Sequence, residues 1–122
     1  KIIPLIQIGL KKDQDLPDTP LFLDLVKGDA EREPVARFLS LTTAVSRPLA
    51  APPGVPEDRV AILRRAFDGL MKDQVFLAEA QRLSIEIDPM TGAELQEAVR
   101  QILATPKDVI ARTQAALEGK GR

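Results

Sequence analysis

Apolar positions follow two rhythms along this chain, one of strands and one of helices. Ile2 to Gly9, reading IIPLIQIG, is β-branched and almost unbroken in hydrophobicity, which predicts a strand buried on both faces of a sheet. Pro4 brings no N–H, so this strand is an edge, bends, or begins pairing beyond that point. Gln7 is the one polar side chain within it, an amide expected to bond nearby backbone at the strand end. Leu10 to Asp18 is charged and turn-forming and reads as a solvated loop. Thr19 then suits an N-cap and Pro20 the first helical position. Leu21, Phe22, Leu25 and Val26 form a short amphipathic helix that Gly28 can stop.

The next segment admits two periods. Val35, Phe38, Leu39 and Thr42 fit a helix face, while Leu39, Leu41, Thr43 and Val45 fit a strand. The acidic residues between Asp29 and Glu33 suit a helix N-terminus, which favours a helix to about residue 44. Arg47 to Ala51 then leaves room for one strand, ended by Pro52, Pro53, Gly54 and Pro56, a stretch that forbids regular structure. From Pro56 a long helix is expected. Glu57 and Asp58 place negative charge at its positive end, and Val60, Leu63, Phe67, Leu70 and Met71 recur at helical spacing.

Further along, Asp73 suits a cap between two helices, and Phe76, Leu77, Ala80 and Leu83 make the second one's apolar face. Ile85, Glu86 and Ile87 alternate as a short strand. Thr91 with Glu94 three residues on is a capping-box pattern, followed by a Leu95, Val99, Ile102, Leu103 stripe. Thr105 and Pro106 restart a last helix with Val109, Ile110, Thr113 and Leu117 inward and a frayed end at Gly119 to Arg122. The pattern as a whole predicts a helix-dominated α/β or α+β fold. Its small sheet contains residues 2–9, 47–51 and 85–87, in a single domain spanning 1–122.

Composition narrows the chemistry. With 122 residues, 44% of them hydrophobic, one core is within reach, yet only four residues are aromatic and all are Phe. A net charge of −1 gives no global pull toward nucleic acid, and base-stacking platforms are scarce without Tyr or Trp. The chain has no His and no Cys, so the commonest general base, thiolate chemistry and zinc–sulfur sites are all missing. No run reads as a signal peptide or a membrane span. A chain that opens at Lys1 rather than Met is expected to be a processed product or a piece of a longer protein.

Three clusters invite a chemical reading. Asp13, Asp15 and Asp18 lack the glycine and distal glutamate of a calcium loop and read as a solvated turn. Arg59, Arg64 and Arg65 are expected to pair within the long helix with Glu57, Asp58 and Asp68. Ser40 and Ser46 have no His or Cys partner, which removes a nucleophilic triad. The Pro-Pro-Gly turn precedes a helix as phosphate loops do, but its prolines remove the N–H groups an anion would use, so it reads as a stiff corner. No catalytic residue, metal ligand or cofactor site is predicted.

Three features in order carry a family resemblance. They are LPDTP at residues 16–20, APPGVP at 51–56 with LRRAF at 63–67, and KDQVFLAEAQRLSIEIDPMTGAEL at 72–95. Together they resemble the C-terminal part of the extracytoplasmic solute receptors of tripartite tricarboxylate transporters, the Bug or TctC family. Pro17, Asp18, Thr19 and Pro20 stand in that family's Pro-Asp-x-Pro-Thr element, although Leu21 replaces its final Thr. Pro52, Gly54 and Pro56 stand in its Pro-x-Gly-x-Pro element.

The resemblance implies part of the first lobe of a periplasmic-binding-protein-like fold. It also implies a periplasmic, non-catalytic receptor that holds a small carboxylate and passes it to membrane transporter subunits. Gln7 and Gly9 would lie nearest the cleft as ligand contacts, the other gripping residues coming from earlier segments. A lobe without its early strands leaves sheet edges open, so a homodimer through them is expected. The rival expectation is a self-associating interaction module without a small-molecule ligand.

Overall fold

In a computed structural model, residues 3–45 and 47–119 are described. Six helices appear among them: α1 (Phe22–Leu25), α2 (Arg32–Ala44), α3 (Glu57–Leu70), α4 (Gln74–Arg82), α5 (Gly92–Leu103) and α6 (Lys107–Leu117). The expected α/β architecture is not what forms. The described residues contain no β-strand and no sheet, only one isolated parallel bridge between Gln7 and Leu21.

Each missing strand has a local cause. Of the first, Lys1 and Ile2 lie outside the described residues, and Ile3 to Gly9 pairs at Gln7 alone. Gln7 N–H donates to the Pro20 carbonyl at 2.9 Å and Phe22 N–H to the Gln7 carbonyl at 2.8 Å. The ladder cannot lengthen, because Pro20 has no N–H and Phe22 already starts α1. The same pairing moves the start of α1. Leu21 is held extended at φ −77°, ψ 135°, so the helix begins past the expected Thr19 cap and Pro20.

Residues 47–51 meet no partner strand, and Pro48 removes a donor near the start of that run. Residues 85–87 are lost to the end of α4. Ser84 takes a left-handed φ of 55°, Ile85 N–H donates to the Ala80 carbonyl at 2.9 Å and Ser84 N–H to the Gln81 carbonyl at 3.0 Å. That is a Schellman closure with serine in the position glycine usually takes, and it commits the Ile85 donor to the helix.

The helices are built much as their caps predict. Asp73 Oδ1 accepts from Phe76 N–H at 2.8 Å at the start of α4. Thr91 and Glu94 form a reciprocal box at the start of α5, with Thr91 N–H donating to Glu94 Oε2 at 2.9 Å and Glu94 N–H to Thr91 Oγ1 at 3.3 Å. The ambiguous 32–44 stretch is helical. Asp29 Oδ1 accepts from Glu31 and Arg32 N–H groups, and Glu33 Oε2 accepts from Gly28 N–H at 2.8 Å, where Gly28 turns through φ +84°. Those backbone bonds, that from Arg32 first and that from Glu31 next, hold the Asp29 carboxyl below its usual range against an opposing desolvation, with the Arg32 charge adding least.

The chain divides into two compact units, residues 1–47 with 97–122, and residues 48–96. In the first, α2 packs against α1 and α6. Its buried residues include Leu21, Ala36, Ser40, Leu41, Ala98, Val109 and Thr113. Ala36 and Ser40 are wholly enclosed, small enough to let helix backbones come close. Thr113 is buried because its hydroxyl donates back to the Val109 carbonyl at 2.8 Å.

In the second unit Ala80 is buried and Val60, Phe67, Met71, Phe76 and Leu77 are half-buried. Leu63 and Leu70, expected to face inward on α3, are exposed, as is Leu83 at the C-cap of α4. The half-buried row of α3 runs through Val60, Arg64, Phe67 and Met71 instead. Arg64 lies against α5 there. A Cβ on Gly92 would come within 2.7 Å of Arg64 Nε, and an Arg64 guanidinium nitrogen donates to Gln96 Oε1 at 2.7 Å.

Candidate functional site

Two places in the first unit concentrate polar groups against apolar surface. One is the Gln7 side chain. It is 8% exposed and commits its amide to the following loop, Nε2 donating to the Leu16 carbonyl at 2.6 Å and the Thr19 carbonyl at 2.9 Å. Its Oε1 accepts from Asp13 N–H at 2.8 Å. The loop turns twice to present those groups. Asp15 N–H donates to Asp13 Oδ1 at 2.8 Å, Leu16 N–H to the Asp13 carbonyl, and Thr19 N–H to the Leu16 carbonyl. The partners fix which end of the amide is nitrogen. Both donors are occupied, so Gln7 can offer an outside ligand only the remaining acceptor capacity of Oε1.

Gly9 stands half-buried two residues on, and a Cβ there would meet only the Lys11 carbonyl oxygen at an ordinary 3.6 Å. Neither a positive φ nor a close approach demands glycine at that position. Ile3, Leu5, Ile6 and Ile8 around these residues are exposed, Leu5 by 80%.

The second place is a groove of about 250 Å³ between α2, the end of α5 and the start of α6. Phe38, Leu41, Val109, Pro34 and Pro106 contribute its apolar lining. Arg37 and Gln101 close its polar rim, an Arg37 guanidinium nitrogen donating to Gln101 Oε1 at 3.0 Å. Gln101 Nε2 in turn donates to Glu97 Oε1 at 3.0 Å, and Thr105 Oγ1 to the Gln101 carbonyl. Sequence reasoning passed over this groove because Arg37 and Gln101 are 64 positions apart. The available signal was a cation set into the apolar stripe of Pro34, Phe38 and Leu41.

The other predicted clusters are not brought together. Among the described residues no three acidic side chains gather as a metal would require, and Asp13 is turned into its own loop. The expected ion pairs within α3 do not form among the described residues, Arg64 reaching Gln96 instead. Pairs at helical spacing occur elsewhere, at Arg82–Glu79, Arg100–Glu97 and Arg112–Asp108. The Arg82 guanidinium holds the Glu79 carboxyl below its usual range. Ser40 Oγ is buried with no hydrogen-bond partner among the described residues, and Ser46 lies outside them.

No protein-family model, no curated protein and no solved structure matches this chain. No helix among the described residues is long and apolar enough to cross a membrane.

Proposed function

We propose that the chain acts in a non-catalytic receptor that binds a small carboxylate in the periplasm, for delivery to the membrane subunits of a tripartite tricarboxylate transporter. The observation that carries the reading is the LPDTP element at residues 16–20. It lies in a loop clasped on Gln7 of the preceding apolar segment and leads directly into α1. The second element, APPGVP, supports it by turning at Gly54, φ +84°, into the Pro56 cap of α3. The proposal concerns binding and transport, and no sheet-based lobe is part of it. The lack of His and Cys accords with a receptor that performs no chemistry.

Calorimetry tests it, with a panel of di- and tricarboxylates titrated into the protein as its gene encodes it. Saturable heat with at least one acid is expected, and silence across the panel overturns the proposal.

A second reading, a self-associating interaction module without a small ligand, is favoured by one observation: the exposed apolar run of Ile3, Leu5, Ile6 and Ile8.

A further inference from the structure

We propose that the α2–α6 groove is a binding site for a small monocarboxylate with an apolar tail, its carboxylate on Arg37 and its tail between Phe38, Leu41 and Val109. The proposal stands on the groove alone and does not depend on the receptor reading.

Charge comes first. Arg37 forms no ion pair among the described residues, although Glu33 is close to it in the chain and Glu97 bonds its partner Gln101. Glu33, one turn earlier on α2, is the natural partner at four-residue spacing. Its carboxylate instead accepts from Gly28 N–H at 2.8 Å. Glu97 is taken by Arg100 and by Gln101 Nε2. Arg37 keeps one neutral partner, Gln101 Oε1 at 3.0 Å, and that contact uses one of its five N–H donors. A guanidinium so placed can still present a fork to a carboxylate.

Shape comes next. The groove holds about 250 Å³, below the size of a pocket for drug-sized ligands, so its occupant is a short molecule. Its walls are side chains of Phe38, Leu41 and Val109, which reward an alkyl chain and offer no donor for a second charged group. One cation beside an apolar floor therefore selects one carboxylate and one tail, and disfavours di- and tricarboxylates, whose further charges would be desolvated without a partner.

The test uses the isotopically labelled chain titrated with hexanoate and, separately, with hexanol, followed by amide chemical shifts. Saturable shifts are expected with hexanoate at residues 37–41 and 105–109. Replacing Arg37 by Gln, which keeps a donor for Gln101 but removes the charge, should weaken hexanoate about tenfold and leave hexanol unchanged. Ala104→Phe, at an exposed groove-lining position, should block both while leaving the helical circular dichroism intact. Shifts that fall instead on residues 3–10, equal hexanoate affinity in Arg37→Gln, or undiminished binding in Ala104→Phe would each overturn the proposal.

Discussion

A single amide does for residues 7–22 what a sheet was expected to do. Gln7 uses its backbone on Pro20 and Phe22 and its side chain on Asp13, Leu16 and Thr19. Its polarity was legible in the sequence as a bond to nearby backbone. Its reach was not, because which carbonyls a glutamine finds depends on how the next dozen residues turn. Gln7→Glu inverts the arrangement by aiming carboxylate oxygens at two carbonyl oxygens. At neutral pH the change is expected to cost about 2 kcal/mol, the order of an unsatisfied buried hydrogen bond. Those carbonyls disfavour the ionised form, so the introduced carboxyl should titrate above the ordinary glutamate range. The penalty is then full above that raised pKa and shrinks as pH falls through it, when the protonated acid can donate once. Urea unfolding of both proteins at about pH 7 and pH 4 measures the gap; a gap that stays constant with pH refutes this account.

At the scale of elements, caps were readable and strands were not. Asp73, the Thr91–Glu94 box and the helical outcome at 32–44 follow from side chains within four residues of one another. A strand requires a partner elsewhere in the chain, and alternation at 85–87 carries no information about whether one exists. Here the helix end prevails, since Ile85 N–H closes α4. The closure places a non-glycine residue at φ 55°, a conformation costing an L-residue roughly 1 kcal/mol or more. Ser84→Gly is therefore expected to stabilise the chain by about 0.5–1 kcal/mol, less than the full strain because glycine also loosens the unfolded chain. Thermal melts report it, and a lowered midpoint would mean the Ser84 side chain contributes more than its backbone costs.

For the molecule as a whole, the burial pattern is thin. The buried apolar residues among those described are mostly small, and long side chains stay outside, among them Leu5, Leu49, Leu103 and Leu117. Periodicity placed apolar residues on helix faces correctly in kind, yet could not say which face would find cover. The expected inward row of α6 is split, Val109 and Thr113 buried and Ile110 and Leu117 exposed. Of the fraying expected from Gly119 to Arg122, Gly119 is held in a turn, its N–H donating to the Ala116 carbonyl at 3.2 Å, and residues 120–122 lie outside the described residues. Exposed apolar surface of this extent favours association. If the Ile3–Leu10 segment is the contact, sedimentation should show mass rising with concentration, and Leu5→Lys should suppress the rise without altering the helical signal. A monomer at every concentration would dispose of the self-association reading.

The clasp on Gln7 also bears on how this region can diverge. Between Asp13 and Leu21 the groups bonded to the glutamine keep a set spacing from one another, so inserting or deleting one residue there would carry a carbonyl out of reach. Ile8 to Lys12 precede that run, so a change of length there leaves its internal spacing intact. Related chains sharing the glutamine should therefore differ in length before the aspartate and hardly ever after it.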